Sequence, residues 1–305
     1  MLRIVFMGTP EFSVPILEAL IKEYNVVMVV TQPDKEVGRK REIVCSPVKK
    51  CALEHDIPVF QPTKIRVDYQ PILDANPDLI VTAAYGQIVG MKLLNAPKYR
   101  SINVHASLLP KYRGGAPIHY SVMNGDSETG VTIMYMEKTM DSGDILNQRA
   151  IPIEDDDTTG SMFEKLSILG RDLLMETIPE LIKGNITPIK QDESLVTFAY
   201  NISPEEETLD LEQDADTLYN KIRGLLPAPA ANIILKGDKI KIYKASVSEI
   251  KHNTEVGKII NKTKKYFTIS CGANTALDIY ELQVPGKRRM LSSDFINGGL
   301  SKYID

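Results

Sequence analysis

Three side chains in this 305-residue chain have types and spacing suited to hydrogen-bond donation and proton transfer: Asn103, His105 and Asp141. Asn103 and His105 lie two apart in the apolar run Ser101-Ile102-Asn103-Val104-His105. Successive strand residues point to opposite faces, so this pair shares one face at the strand's carboxyl end. An amide N–H placed there can donate to a developing oxyanion, a contribution of about 3–4 kcal/mol for one good donor in other acyl-transfer sites. An imidazole, with a reference pKa of about 6.5, can accept a proton near neutrality. Asp141 opens the turn-rich stretch Asp141-Ser142-Gly143-Asp144 and can orient the ring and favour its cationic form.

The elements that must position these groups follow from periodicity. Arg3 to Met7, Val26 to Thr31, Leu79 to Ala83 and Ser101 to His105 read as buried strands, and Phe12 to Glu23 as a helix with Val14, Leu17, Leu20 and Ile21 inward. Ser46-Pro47 is an N-cap followed by proline at the first helical position, predicting a helix to about Glu54. A helical pattern near Val89 to Leu94 precedes the Ser101 strand. Strands and helices in this alternation predict a mostly parallel, Rossmann-like α/β sheet, with ligands at the carboxyl ends of its strands. Val131 to Met136 and Ile145 to Ile153 read as further strands, and a long helix is expected from about Thr158 to Lys183, disturbed near Pro179 and stopped by Gly184. Residues 185–206, polar and rich in Pro, Ser and Glu, are expected to be a linker. Beyond it a short helix, Asp214 to Arg223, precedes about five short strands within 207–305, the pattern of a small β-barrel of the oligonucleotide-binding type.

The composition is that of a globular protein, with 43% hydrophobic and 25% charged residues, which excludes disorder and collagen-like repeats. The net charge of −4 conceals an asymmetry. Residues 1–216 hold 21 Lys and Arg against 33 Asp and Glu, a net of −12, whereas 217–302 hold 15 against 6, a net of +9. A second basic stretch lies inside the acidic part: Lys35, Arg39, Lys40, Arg41, Lys49 and Lys50 against Glu36 and Glu42. Basic tracts beside a site predict contact with phosphates. Cys45, Cys51 and Cys271 have no framework spacing, and Cys45, Cys51 and His55 match no usual zinc spacing. Three unpaired cysteines, an N-terminal apolar run too short for a signal peptide and no run long enough for a membrane span predict a cytoplasmic location.

Asn103-x-His105-x-Ser107-Leu108-Leu109-Pro110, then Arg113-Gly114-x-Ala116-Pro117-Ile118, then Met140-Asp141-x-Gly143-Asp144-Ile145-Leu146, resembles the active-site signature of the 10-formyltetrahydrofolate-dependent formyltransferases. Phe6-Met7-Gly8-Thr9-Pro10-Glu11-Phe12, the stretch from Thr31-Gln32-Pro33-Asp34 to Ser46-Pro47-Val48-Lys49, and Asn220-Lys221-Ile222-Arg223-Gly224-Leu225 resemble the branch of that family that formylates methionyl-tRNA. The resemblance extends over nearly the whole chain. It implies a catalytic domain over 1–184, a linker over 185–206 and a tRNA-binding barrel over 207–305. It implies transfer of the formyl group of 10-formyltetrahydrofolate, as co-substrate, to initiator methionyl-tRNA, with Asn103, His105 and Asp141 as the catalytic residues and no metal. For the folate it implies a pocket of Tyr85, Gly86, Gln87, Ile88, Val89, Ser107, Leu108, Leu109, Pro110 and Asp144, with Ile88 and Val89 open to a plainer reading as helix core. For the tRNA it implies Lys35, Arg39, Lys40, Arg41, Lys49, Lys50, Arg223, Lys287, Arg288 and Arg289. Ala228 stands between Pro227 and Pro229 where a bulkier residue is expected. A monomer and no membrane partner are expected.

Three readings compete, one of them a nucleic-acid-binding protein with a degenerate enzyme domain, which the intact set of Asn103, His105 and Asp141 disfavours. A formyltransferase acting on a ribonucleotide or sugar-nucleotide amine would share the three catalytic residues but have less use for the basic stretch and barrel. A dinucleotide-dependent oxidoreductase is disfavoured, because Gly8 stands alone where G-x-G-x-x-G is required.

Overall fold

Among the described residues, nine strands and six α-helices precede residue 201. The strands are β1 (Arg3–Gly8), β2 (Asn25–Val30), β3 (Lys35–Val37), β4 (Glu42–Val44), β5 (Val59–Phe60), β6 (Leu79–Ala83), β7 (Ser101–His105), β8 (Glu128–Tyr135) and β9 (Ile145–Pro152). The helices are α1 (Val14–Glu23), α2 (Pro47–Glu54), α3 (Gln70–Asp74), α4 (Met91–Leu94), α5 (Pro117–Met123) and α6 (Thr159–Lys183). The structure, a computed structural model, describes residues 1–37 and 42–303, so Arg39, Lys40 and Arg41 of the basic stretch lie outside the described residues. The chain forms two compact units, one of residues 1–117, 128–152 and 163–200, the other of 118–127, 153–162 and 201–305.

In the first unit a seven-stranded sheet runs in the order β5-β2-β1-β6-β7-β8-β9. Pairing is parallel from β5 to β7 and antiparallel from β7 to β9. The mixed α/β, mostly parallel architecture is the one the alternating pattern predicts. Ile4 to Met7 of β1 are fully buried, as continuous apolar runs in central parallel strands must be. The expected strands at Leu79–Ala83 and Ser101–His105 are present with those bounds. Ser46 caps α2 by accepting from the Lys49 N–H at 3.0 Å. The helix expected from Val89 is only one turn, Met91–Leu94, with Gly90 as its N-cap. Val89 is buried ahead of it and Ile88 is 60% exposed, so neither is helix core. The short hairpin of β3 and β4 has no counterpart in the periodicity.

Residues 185–200 are polar, yet they are built into this unit rather than spanning free. Ile189 and Ile145 exchange backbone hydrogen bonds at 2.8 and 2.9 Å, and Thr197 and Ala199 pair with Arg113 at 2.9 and 2.8 Å. Composition reads such a stretch as a linker because its bonds are to distant backbone and leave no local apolar pattern.

The second unit adds α7 (Ala215–Gly224), α8 (Ser292–Gly298) and strands β10 (Asn232–Leu235), β11 (Asp238–Val247), β12 (Ile259–Lys262), β13 (Phe267–Ser270), β14 (Ala276–Gln283) and β15 (Met290–Leu291). All pairs are antiparallel, in the order β10-β11-β14-β13-β12 with β15 beside β14. The strand path ends on β10 and β12, which makes it a half-barrel. Leu218 and Ile222 of α7 pack with Phe267, Ile269, Leu277 and Ile279. Residues 118–127 and 153–162 also belong here: Tyr120 donates to Glu206, and Thr159 donates to the Gly224 carbonyl at 2.6 Å. Among the described residues no helix is long and apolar enough to cross a membrane.

Candidate active site

β7 carries two of the three expected catalytic groups, held between β6 and β8 with Asn103 opposite Thr82 and Met134, and His105 opposite Thr132. The Thr82 hydroxyl donates to Asn103 Oδ1 at 2.7 Å. With its oxygen so engaged, the Asn103 amide presents its N–H₂ as a donor.

His105 is buried, 5% exposed. Its Nε2 lies 3.0 Å from the Tyr112 carbonyl, and its Nδ1 lies 3.7 Å from Asp141 Oδ2. A carbonyl oxygen only accepts, so Nε2 carries the hydrogen and Nδ1 is left as the nitrogen that gains or loses a proton. Tyr112, whose carbonyl sets this tautomer, has φ +61°, and Asp141 has φ +52°, both in the left-handed region.

Asp141 comes from the turn before β9, and its Oδ2 also accepts the Gly114 N–H at 2.8 Å. Gly114 has φ +130°, and a Cβ there would meet the Ala199 carbonyl oxygen at 2.4 Å, so only glycine brings this N–H to the carboxylate. Gly143 is equally required, because its Cβ would lie 1.9 Å from the Tyr135 carbonyl oxygen. Thus the structure brings the 103–105 strand end, the 107–117 loop and the 141–144 turn to one place. Arg113, 3% exposed, underlies them with its guanidinium on Gln191 and Glu193. That guanidinium holds the Glu193 carboxyl below its ordinary pKa.

The expected folate residues divide. Gly86 has φ +88°, Ile88 is exposed, and Leu108, Pro110 and Asp144 are half-buried. The other side chains have internal roles. The Tyr85 ring sits in a core cluster with Val5, Met7, Val89 and Leu93, and burial pushes its hydroxyl up to about 12. Gln87 accepts from the Ile65 N–H at 2.9 Å and donates to the Pro62 carbonyl at 3.0 Å. Ser107 donates to the Lys111 carbonyl at 2.7 Å. Leu109 is buried, its N–H on Thr132 and its carbonyl on Gln148. Gln32, not singled out by the sequence, donates to the Tyr85 carbonyl at 3.1 Å and braces this edge. Among the described residues no group of three or more His, Cys, Asp or Glu could hold a metal ion.

The basic candidates divide too. Lys35 and Lys50 are exposed, whereas Lys49 pairs with Asp34 at 2.6 Å and donates to Gln61. Lys287 and Arg288 are exposed. Arg289 is tied to Glu281 and lies 4.5 Å over the Tyr243 ring. Arg223, expected among the tRNA contacts, is instead buried at 7% exposure, with its guanidinium on Asn220 Oδ1 and the carbonyls of Glu154 and Asp157. Those acceptors engage its Nε and Nη1 donors.

A family model for formyl transferase matches residues 2–178, and one for the formyl transferase C-terminal domain matches 201–300. The chain belongs to the formyl transferase family. The methionyl-tRNA formyltransferase of Lactiplantibacillus plantarum is 54% identical over 99% of this chain and 97% of its own length, and that of Enterococcus faecalis is 52% identical over 98% and 96%. Among solved structures, an N-formyltransferase from Helicobacter canadensis in complex with folinic acid and dTDP-3-aminofucose aligns with a TM-score of 0.67 at 20% identity, covering 92% of this chain and 99% of that one. The methionyl-tRNA formyltransferase from Clostridium thermocellum aligns at 0.56 and 17% identity, covering 81% and 93%. At those identities the two structures attest the shared fold.

Proposed function

We propose that this chain transfers the formyl group of 10-formyltetrahydrofolate to the α-amino group of initiator methionyl-tRNA, giving formylmethionyl-tRNA and tetrahydrofolate for translation initiation. Identity of about half to methionyl-tRNA formyltransferases over nearly the full length supports the substrate pair. The observation that carries the chemistry is His105, with Nε2 committed to the Tyr112 carbonyl and Nδ1 facing Asp141.

The amine nitrogen attacks the formyl carbon, and the carbonyl oxygen becomes an oxyanion that the Asn103 amide stabilises. His105 Nδ1 takes a proton from the attacking nitrogen, and Asp141 steadies the imidazolium. As the bond to the folate nitrogen breaks, the same proton passes to that nitrogen. Ile88, Leu108 and Asp144, with the backbone at Gly86, are the groups of the expected folate set most free to meet the co-substrate. Residues 1–184 carry the reacting groups, 185–206 lead on to the half-barrel after bracing the first unit over 185–200, and 207–305 bind tRNA. Lys35, Arg39, Lys40, Arg41 and Lys50 of the first basic stretch, and Lys287 and Arg288 of the second, meet its phosphates, with Lys49 and Arg289 contributing less because each holds an acid. The enzyme acts as a monomer in the cytoplasm.

The test is a transfer assay with 10-formyltetrahydrofolate and three acceptors: methionyl-tRNA, glycinamide ribonucleotide and an amino-sugar nucleotide. Transfer to methionyl-tRNA alone is expected. Brisk transfer to either small acceptor, with none to the tRNA, would sink the proposal.

A further inference from the structure

We infer that Gln191 is a positioning residue for the reaction, holding Asp141 against His105 through a buried amide that ties the two active-site loops together. The inference rests on the reading of Asp141 as the partner of His105. Gln191 lies in the stretch that composition marks as a linker, yet it is only 4% exposed. A buried primary amide has two donor hydrogens and two acceptor lone pairs to satisfy. Here all four are used. Nε2 donates to the carbonyls of Asp141 at 2.8 Å and of Gly143 at 2.7 Å, one on each side of Ser142. Oε1 accepts from Arg113 Nε at 3.0 Å and from its terminal nitrogen at 2.8 Å.

The two loops joined in this way are the ones that set the catalytic geometry. The 141–143 turn carries the carboxylate. The segment around Arg113 supplies the Tyr112 carbonyl that fixes His105 Nε2 and the Gly114 N–H that binds Asp141 Oδ2. Arg113 is itself immobile, with its backbone paired to Thr197 and Ala199 and its guanidinium closed by Glu193. Asp141 sits at a left-handed φ of +52°, a conformation Asp adopts more readily than most residues with a Cβ, and the clamp holds its carbonyl in that turn. The chemistry of the clamp also selects glutamine. Glutamate would set a carboxylate oxygen against two carbonyl oxygens, and asparagine is one carbon too short to span the same acceptors.

The experiment uses the full-length enzyme with methionyl-tRNA and 10-formyltetrahydrofolate. Gln191→Leu keeps the bulk and removes all four bonds, while Gln191→Glu keeps the bulk and the acceptor for Arg113 and removes only the two donors. Both are expected to lower kcat about 10- to 100-fold, since a misplacement of about 1 Å costs on that order. KM for each substrate should stay within about twofold. In an Asp141→Ala background, Gln191→Leu should add less than about a twofold further loss, because the clamp acts through Asp141. An undiminished kcat in both Gln191 variants, a loss confined to KM, or losses that multiply in the double variant would each overturn the inference. Should Gln191→Leu fail to fold, Gln191→Glu carries the same test. Asp141→Ala alone separates the layers: an undiminished kcat there removes the underlying reading, whereas a lost kcat there beside normal Gln191 variants removes only the clamp.

Discussion

Around β7 the polar side chains are held by named partners, whereas along the basic turn of the second unit Lys287 and Arg288 stand exposed and Arg289 alone is tied down. The first region fixes donors and acceptors to within a bond's tolerance, at φ values that two non-glycine residues rarely adopt. The second presents charge on long side chains that reach where a phosphate happens to be. These are two solutions to two problems. Stabilising a transition state requires preorganised dipoles, while attracting a polyanion requires only density of charge. Substitutions in the first region should therefore change rate steeply, and those in the second should change affinity gently and in proportion to salt.

The sharpest way to break this comparison is at β7. Asn103→Ala should lower kcat about 10²–10³-fold, the usual consequence of losing one oxyanion donor. His105→Ala should lower it about 10²–10⁴-fold. Single-turnover transfer measures both, and filter binding should show tRNA affinity within about twofold of the parent. A variant that weakens tRNA binding while keeping its rate would place the group in the wrong region.

Within the second unit, arginine and lysine of the same charge allow a finer contrast. Arg223→Ala leaves the carbonyls of Glu154 and Asp157 and the Asn220 oxygen without their donor, which should cost about 2–3 kcal/mol of stability. Its tRNA affinity should keep the parent's dependence on salt. Lys287→Ala and Arg288→Ala should leave Tm unchanged and reduce the slope of log K against log salt by about 1 each. A flattened slope in Arg223→Ala would restore it to the RNA surface. Removing 207–305 wholesale cannot make this distinction, because residues 118–127 and 153–162 share the second unit's hydrogen bonds.

What could be read in advance follows the reach of each interaction. Asn103 and His105 share a face by strand alternation alone, which is local, and the strand's observed bounds match the sequence pattern. Most of the C-terminal strands show in the sequence for the same reason, helped by the Gly and Asn between several of them, whereas the two-residue β15 is too short to do so. The turn at Asp141 shows in its composition, but its partner Gly114 does not, since that bond depends on the Ala199 carbonyl leaving no room for a Cβ. Gln191 sits 50 residues from Asp141, and Arg223 lies 69 and 66 residues from the carbonyls it binds. Nothing local marks either one. Polar composition therefore does not reveal a buried brace, and positive charge does not reveal a buried strut. The β3–β4 hairpin escapes for another reason, since three-residue strands are too short to show a period.

The smallest effect concerns how the second unit holds its charged cap. Asp214 accepts from the Thr217 N–H at 3.0 Å and from its hydroxyl at 2.8 Å at the start of α7, the helix that carries Arg223. Those hydrogen bonds hold its carboxyl below the ordinary value. A carboxyl depressed in the folded state stabilises fully above its unfolded pKa of about 3.9, and the contribution is lost as pH falls through the folded value. Asp214→Ala should therefore cost about 1 kcal/mol at pH 7, as for other N-caps, and less as the pH drops below about 4. Asp214→Asn keeps an acceptor for Thr217, so its cost at pH 7 should be smaller still and its acid sensitivity reduced. Urea midpoints of the three proteins at pH 7 and pH 3 measure this directly. An Ala penalty as large at pH 3 as at pH 7 would show that the cap works by shape rather than by charge, and would move Asp214 from the electrostatic side of the comparison to the preorganised one.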